Sequence, residues 1–343
     1  MGDRALRQSE GSHKKPLRLL LTMGDPAGVG PEVVLKALPA LKREGLVSIG
    51  VVGPPVLWEL AARQLDLPLP QEHEFEVLVP AALQDMDAGL GRDILFCGAC
   101  VAEGARVAVA CLETAAELAS RSPRETAVIT APINKRAFHE LGESVPGLTE
   151  WFAERFNVDT PLMLLVGGRL RVAVITTHLP LREVPGALTV DAAVKRLSVL
   201  HEGLQTRFGL QRPRIALLAL NPHGGARGEG DREEREVLEP AMEDARAAGV
   251  DVDGLFSADG FFGRRHWEKY DAVMAPYHDQ GFTAVKMEAG GAGVNVTLGL
   301  PIVRTSPDHG TAFDIAGQGV AGEDSTVAAA RLADGLLAGC GAS

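Results

Sequence analysis

The sequence predicts an α/β fold of two domains, in which mixed, mostly parallel sheets are flanked by helices. From residue 17 onward, short apolar runs alternate with helical segments, which is the pattern of a parallel sheet covered by helices. The chain also has 343 residues, which is more than one compact core usually holds. We therefore expect two α/β domains, with the chain crossing between them more than once.

The predicted elements of the first half follow this rhythm. A buried strand at 17–23 precedes a helix at 31–41, in which Pro31 and Glu32 suit the first turn. The elements after it are a strand at 47–53, a helix at 55–65, a weaker strand at 75–79, a helix at 105–119 and a strand at 127–133. Residues 81–103 give no clear prediction.

The second half is predicted to contain an antiparallel part. Two short helices are expected between residues 135 and 154. The apolar runs 162–166 and 171–176 flank Gly167 and Gly168, which is typical of a hairpin. The later elements are a helix at 190–207, a strand at 215–220, a helix at 232–248 and a last helix at 325–337.

Composition and charge favour a cytoplasmic enzyme. Hydrophobic residues make up 46% of the chain and the net charge is −11, with no long basic run, so a nucleic-acid surface is not expected. No apolar run reaches the roughly 18 residues of a membrane helix. Residues 1–16 carry basic side chains without an apolar segment behind them, and we expect a disordered tail there rather than a signal peptide.

The stretch 277–319 is unusually dense in reactive side chains. It follows an apolar run at 271–276, at the kind of strand end where α/β proteins place their chemistry. A histidine beside an aspartate suits a divalent metal, whereas Lys, Asn and Arg suit a phosphate or carboxylate. The alternative is an exposed polar loop between two strands. The side chains concerned are His278, Asp279, Lys286, Asn295, Arg304, Asp308, His309 and Asp314.

Three histidines share one setting. His178, His223 and His278 each lie just after an apolar strand, and such strand ends gather at one edge of an open sheet. Neutral imidazoles arriving there would suit a divalent cation and leave positions open for substrate. Asp279 and Asp259 are candidate carboxylates for orienting a ligating imidazole, although Asp259 equally suits a turn. For each histidine, capping or ordinary hydrogen bonding is the alternative.

Two glycine-bearing loops are candidates for binding anions or nucleotides. GDPAGVGPE at 24–32 has neither the dinucleotide nor the P-loop spacing, and is by spacing a strand-to-helix turn whose free N–H groups could face an anion. DHGTAFDIAGQG at 308–319 could bring its backbone close to a nucleotide, with Asp314 accepting a hydrogen bond from a ribose or adenine. The alternative for the second loop is a tight turn before the final helix.

Several motifs in order carry a family resemblance. GDPAGVGPE, TAPINK, THLPL, LNPHGG, YHDQG, GVNVTLGLPIVRTS and DHGTAFDIAG together resemble the 4-hydroxythreonine-4-phosphate dehydrogenase family of vitamin B6 synthesis, over about residues 17–337. The resemblance implies a two-domain isocitrate/isopropylmalate dehydrogenase-like fold with the active site in the interdomain cleft. It also implies a homodimer whose active sites use residues of both chains. The first domain would comprise 17–133 plus about 300–340 and carry the NAD loop, and the second would comprise 134–299 and carry the metal ligands and the dimer interface.

The resemblance also assigns roles to individual residues. It implies NAD and one divalent metal per site (zinc, magnesium or cobalt), oxidation of a C3 hydroxyl, and loss of carbon dioxide to give an amino-ketone phosphate. The resemblance does not settle the group that transfers the proton: Lys286, Asp279 and a metal-bound water stay open, and Asp259 is a further catalytic candidate. The implied metal ligands are His178, His223 and His278; the substrate positions are Leu148, Thr149, Lys286, Asn295 and Arg304; the cofactor residues are His309, Gly310, Asp314 and Gly317.

Two departures from the family pattern bear on the substrate. The family has GHTE where this chain reads GLTE, so Leu148 presents an apolar side chain in place of a substrate-contacting histidine. The segment NPHGGARGEGDREE also differs from the family and adds Arg227. These changes leave open a paralogous dehydrogenase acting on 4-phospho-threonate, 4-phospho-erythronate or a dihydrodiol carboxylate. A phosphate acyltransferase-like transferase is a further alternative.

Overall fold

The computed structural model describes residues 18–45, 48–69, 75–142, 147–223 and 232–340. The predicted tail at 1–16 and Arg227 lie outside the described residues, as does part of the loop that precedes Leu148. Within the described ranges, no helix combines the length and the apolar character that a membrane span requires.

Eleven strands form one mixed sheet. They are β1 (Arg18–Thr22), β2 (Ile49–Val52), β3 (Glu76–Leu78), β4 (Thr126–Ile129), β5 (Leu162–Gly167), β6 (Leu170–Thr176), β7 (Arg214–Leu218), β8 (Asp251–Phe256), β9 (Ala272–Tyr277), β10 (Val294–Leu298) and β11 (Val303–Pro307). Their order across the sheet is β3-β2-β1-β4-β11-β10-β5-β6-β9-β7-β8. The pairings β11–β10, β10–β5 and β5–β6 are antiparallel, and the other recorded pairings are parallel.

Helices flank this sheet. They are α1 (Gly30–Arg43), α2 (Pro55–Leu65), α3 (Ala88–Ile94), α4 (Ala102–Arg121), α5 (Arg136–Glu140), α6 (Leu148–Arg155), α7 (Val184–Ala187), α8 (Val190–Thr206), α9 (Glu239–Ala247), α10 (Ala258–Gly263), α11 (His278–Ala289) and α12 (Asp324–Cys340). A π-helical turn, Glu234–Leu238, leads into α9. The predicted α/β class is thus confirmed.

Apolar runs in the sequence explain the central strands. Leu19, Leu20 and Leu21 are consecutive in β1 and all fully buried, as expected for a parallel strand with helices on both faces. The predicted hairpin is also confirmed, since β5 and β6 pair antiparallel and Gly168 takes a φ of +56° in the turn. The predicted helices at 55–65 and 190–207 match α2 and α8 closely.

The stretch 277–319 is not a single polar loop, and that alternative is wrong. Helix α11 begins at His278, and strands β10 and β11 follow it. A glycine inside α11 obscures the helix in the sequence, but tertiary packing requires it. At Gly281, a Cβ atom would lie 2.5 Å from Val172 Cγ1 of β6, so only glycine lets the helix approach the sheet this closely.

The strand order groups the two predicted domains at opposite ends of the sheet. Strands from 17–133 and 300–340 occupy one end, strands from 134–299 occupy the other, and the two groups meet where β11 pairs with β10. Hydrogen bonds cross this junction, so the sheet is continuous. The division into two domains and the cleft between them stay predictions.

Candidate active site

A cavity of about 340 Å³ lies where β4, β6, β9 and β11 end. Strands β4 and β11 are parallel to each other, and so are β6 and β9. The three antiparallel pairings between these two pairs make them run in opposite directions, so the cavity is bordered by two sets of strand ends and not by one carboxyl edge of a parallel sheet. Nine predicted site residues line it: Leu148, Thr149, His178, His278, Lys286, Asn295, Arg304, His309 and Gly310. Five others do not: His223, Asp259, Asp279, Asp314 and Gly317.

Arg304 is a buried cation in the wall of this cavity. Its residue is 1% exposed, and burial lowers the pKa of its guanidinium to about 10, while the charge of Glu150 acts in the opposite direction. Nη1 donates to Thr297 Oγ1 at 3.0 Å and Nη2 to Thr130 Oγ1 at 2.6 Å. Among the described residues, no carboxylate lies within ion-pair distance of it.

Three side chains of the cavity each have a buried polar atom without a hydrogen-bond partner. These atoms are Arg304 Nε, Asn295 Oδ1 and His309 Nε2. A buried polar atom left unpaired costs about 1–3 kcal/mol, so a site that gathers three of them suits a polar ligand. Donors and acceptors are both present, because Arg304 can only donate and the Asn295 oxygen can only accept.

Lys286 places a second cation beside the same cavity. It lies on α11, and its Nζ is 3.2 Å from Asp308 Oδ1 and 3.4 Å from the Asp308 carbonyl oxygen. Its side chain is half exposed, whereas Arg304 is buried. Arg304 is therefore a fixed cation shielded from water, whereas water reaches Lys286.

Two of the three predicted metal ligands lie side by side. The ring centroids of His178 and His278 are 5.7 Å apart, and two imidazoles that share a cation through bonds of about 2.1 Å have centroids roughly 5–6 Å apart. Burial lowers the pKa of His178, and the charges of Lys135 and His278 lower it further, while Glu150 opposes the shift. This favours the neutral ring that a metal requires. The Nδ1 of His278 is 2.7 Å from Asp279 Oδ1, so Asp279 can orient this ring.

The third histidine does not join them within one chain. Across the described ranges, no group of three or more His, Cys, Asp and Glu side chains could hold a metal ion. His223 is exposed, with a φ of +67°. A complete triad within a single chain is thus not found, and a triad drawn from two chains stays a prediction.

Asp259 belongs with His223 and not with the cavity. Its Oδ1 accepts hydrogen bonds from Ser257 Oγ at 2.6 Å and from the Gly260 N–H at 2.7 Å, at the start of α10. These bonds lower the pKa of the Asp259 carboxyl, and the charge of His223 adds to the effect. This geometry matches the turn residue that the sequence left as an alternative.

The N–H groups of the GDPAGVGPE loop are not free to bind an anion. Ala27 donates to Asp25 Oδ1 at 3.0 Å, Gly28 to the Asp25 carbonyl at 3.1 Å, and Val29 to the Thr311 carbonyl at 2.9 Å. The whole segment 24–32 is buried. These N–H groups are therefore occupied, which favours the strand-to-helix turn that the spacing indicated.

Comparison with known proteins decides the family. The family model described as "Pyridoxal phosphate biosynthetic protein PdxA" matches residues 36–333. The chain belongs to this family. A curated relative from Methylorubrum extorquens, named 4-hydroxythreonine-4-phosphate dehydrogenase, is 40% identical over 328 residues, which cover 93% of this chain and 94% of the relative.

Solved structures agree with the family. The crystal structure of a 4-hydroxythreonine-4-phosphate dehydrogenase from Klebsiella pneumoniae is 33% identical, with a TM-score of 0.80 over 94% of this chain and 99% of that chain. A terephthalate 1,2-cis-dihydrodiol dehydrogenase from Burkholderia xenovorans is 27% identical, with a TM-score of 0.63 over 93% of this chain and 98% of that chain. The PdxA fold is thus shared by proteins named for two different substrates.

Sequence reasoning missed four side chains of this PdxA site. Thr130, Lys135 and Glu150 line the cavity, and Thr297 holds Arg304 from behind. Thr130 and Lys135 begin and end the TAPINK motif, and Glu150 ends GLTE. They therefore belong to motifs that the sequence analysis identified, but it gave them no role. Thr297 carried no signal, because a threonine in a strand is ordinary.

Proposed function

We propose that this PdxA family member is an NAD- and divalent-metal-dependent dehydrogenase acting on 4-phosphohydroxy-L-threonine. It would oxidise the C3 hydroxyl, and the oxidised product would lose carbon dioxide to give 3-amino-2-oxopropyl phosphate, in the cytoplasm. The names of the relatives support the reaction. The single observation that carries the phosphorylated substrate is Arg304, a buried cation with no carboxylate partner among the described residues, in the wall of a polar cavity.

Arg304 would bind the phosphate group. A buried charge is stable only when it is paired, and the two threonine hydroxyls that hold Arg304 are neutral. The unpaired Nε donor remains for an anion, and an Arg–phosphate hydrogen bond is charge-assisted on both sides. Thr149 and Asn295 line the same space and would contact the rest of the substrate.

His178 and His278 would hold the metal, with His223 of the partner subunit as the third ligand in a homodimer. The lowered pKa of His178 and the Asp279 contact of His278 both suit metal binding. When bound, a divalent cation supplies stabilisation of negative charge on oxygen. The proposed metal is zinc, magnesium or cobalt.

The loop at 309–319 would bind NAD, which serves as the hydride acceptor. His309 presents a buried ring nitrogen without a partner, and Gly310 has no atom within 4 Å of the position that a Cβ would take. The backbone there is open to the cavity, so a ligand can approach it closely. Asp314 and Gly317, farther along the loop, would contact the parts of the cofactor outside the cavity.

Lys286 is the best-placed group for proton transfer. It lines the cavity, whereas Asp279 and Asp259 do not. Its Nζ lies 3.2 Å from Asp308 Oδ1, so a proton held on the amine has a neighbouring acceptor. Once it has passed its own proton to Asp308, Lys286 would take the hydroxyl proton, and it would later return a proton to the carbon that loses carbon dioxide.

A paralogous substrate is the second candidate, and Leu148 favours it. Leu148 lines the cavity and offers no hydrogen-bond donor. The candidates are 4-phospho-threonate, 4-phospho-erythronate and a dihydrodiol carboxylate, the last in keeping with the name of the Burkholderia xenovorans relative. The phosphorylated candidates would use Arg304 in the same way.

Phosphate binding provides a test that does not depend on turnover. Calorimetric titration with inorganic phosphate is expected to give saturable binding for the wild-type protein. Arg304→Met should weaken it at least tenfold, because a charge-assisted hydrogen bond contributes about 1.5–3 kcal/mol. Equal affinity in the two proteins would place the anion elsewhere.

A further inference from the structure

The first glycine-bearing loop (residues 24–32) and helix α1 pack against the second glycine-bearing loop (residues 308–319). Val29 of the first loop donates its N–H to the Thr311 carbonyl at 2.9 Å. A Cβ atom on Gly28 would lie 2.6 Å from the same carbonyl oxygen, so glycine is required for this approach. Farther on, Val29 and Val33 bury their side chains against Ala321, with Ala312 and Ile315 packed around them.

Two charged side chains of α1 form hydrogen bonds with the backbone at the C-terminal end of the second loop. Glu32 Oε1 accepts the Ala321 N–H at 2.8 Å, and its Oε2 accepts the Gly319 N–H at 3.3 Å. Lys36 Nζ donates to the carbonyl oxygens of Gly319 and Ala321, both at 2.7 Å. The two side chains thus bind both the donors and the acceptors of the same two residues.

The pair is buried and its charges compensate each other. Lys36 Nζ lies 2.8 Å from Glu32 Oε1, and the side chains are 18% and 0% exposed. A surface pair one helical turn apart contributes little, but a buried pair that also satisfies four backbone groups fixes geometry. Glu32 also suits the first turn of α1, but Lys36 lies in the middle of the helix, where the helix itself does not require a charge.

We propose that Glu32 and Lys36 are positioning residues for the dinucleotide, which hold the segment from His309 to Gly319 in its binding conformation before the cofactor arrives. This inference rests on the proposed NAD site. Preorganisation lowers the entropic cost of ordering the loop upon binding, so its loss raises the dissociation constant and leaves the chemical step unchanged.

The test compares Lys36→Met with Lys195→Met. Lys195 pairs with Asp191 one turn away on α8, at 2.9 Å, but both side chains are exposed and the pair fastens no loop. Amide hydrogen exchange of residues 311–323 without cofactor, calorimetric NAD affinity and kcat are measured for both variants. Lys36→Met is expected to speed exchange at Gly319 and Ala321, to raise the NAD dissociation constant about tenfold and to leave kcat within about twofold. Lys195→Met should match the wild type, and Lys36→Arg, which keeps the charge, should restore most of the affinity.

Two results would overturn the inference. The first leaves the proposed function standing, whereas the second rejects the proposed function as well. Unchanged exchange and NAD affinity in Lys36→Met, with normal NAD binding by the wild type, reject the positioning role alone. A wild-type protein that does not bind NAD rejects the positioning role together with the proposed function. Because Lys36→Met keeps the buried carboxylate with its two N–H donors, it is the primary variant, and Glu32→Gln serves as the second.

Discussion

At the scale of single residues, two threonine hydroxyls hold the buried guanidinium of Arg304 in position. Thr130 and Thr297 accept from the two Nη atoms, and the ring of Phe152 lies 5.6 Å from the guanidinium carbon. None of these partners neutralises the charge. The guanidinium is therefore held in position, but these partners leave its positive charge unneutralised, and an anionic ligand could neutralise it.

Removal of one hydroxyl tests this arrangement. Thr130→Val deletes the acceptor of Arg304 Nη2 with little change in shape, so Arg304 should lose its fixed orientation and the KM for the phosphorylated substrate should rise about tenfold. We expect kcat to change by less than about threefold. Thr130→Ser keeps the hydroxyl and should retain the wild-type KM in the same steady-state assay. Equal KM values for the valine and serine variants would contradict the role of Thr130.

Asp25 gives a second prediction at this scale, for the pH dependence of stability. Burial raises the pKa of its carboxyl from 3.8 to about 6, although the Ala27 N–H acts in the opposite direction. Between these values the folded protein holds a proton that the unfolded chain has released. The stabilisation from this group is therefore complete below pH 3.8 and is lost as the pH rises to about 6.

Asp25→Asn should flatten this part of the stability profile. In the wild type, the free energy of unfolding should decrease by on the order of 3 kcal/mol across this pH range because of Asp25. Asparagine cannot ionise, so this decrease should be absent from the variant. Urea unfolding at several pH values measures it. Asp191→Asn, on the exposed face of α8, is the control and should leave the slope unchanged. A slope that persists in Asp25→Asn would assign it to another group.

At the scale of elements, helix α11 sets the position of both His278 and Lys286. It packs on β6 through Gly281, where a Cβ would lie 2.5 Å from Val172 Cγ1 and 3.0 Å from Ala275 Cβ. Gly281→Ala should therefore destabilise the protein by about 1–3 kcal/mol and lower activity by shifting the helix. Chemical unfolding and the NAD reduction rate measure the two effects.

Gly260→Ala is the matched control for this substitution. Gly260 also lies in a helix, α10, but no atom is within 4 Å of its Cβ position. Alanine there should leave stability unchanged or raise it by up to about 1 kcal/mol, because glycine is a poor helix former. If both alanine variants behaved alike, close packing at Gly281 would not be the cause.

The same elements show what the sequence can and cannot predict. Uniform apolar runs predicted β1 and β6, and the glycine pair predicted the hairpin of β5 and β6. Helix α11 was missed because its glycine is explained only by a strand that lies over 100 residues earlier in the chain, at Val172. The residue types of the cavity were predicted, but the burial of Arg304 was not, since its strand reads VRTSP and is mostly polar.

At the scale of the whole molecule, the positions of the three histidines bear on the predicted homodimer. His178 and His278 share the cavity while His223 lies apart from it, so we expect each complete metal site to combine two residues of one subunit with one of its partner. A mixture of inactive His178→Ala and His223→Ala subunits should then regain activity. One of the two sites in each mixed dimer would be intact, which gives about a quarter of the wild-type rate after random exchange. No recovery, with mixed dimers present, would place all ligands in one chain.

The appearance of reduced nicotinamide would show directly whether this protein is the proposed dehydrogenase. The purified protein is mixed with NAD, a divalent metal and 4-phosphohydroxy-L-threonine, with a chelator control. We expect a rapid, chelator-sensitive rise in absorbance that Arg304→Met slows by weakening substrate binding. Absence of any rise, for this substrate and for the phosphorylated and dihydrodiol alternatives, with NAD and metal both supplied, would contradict the assignment as a dehydrogenase.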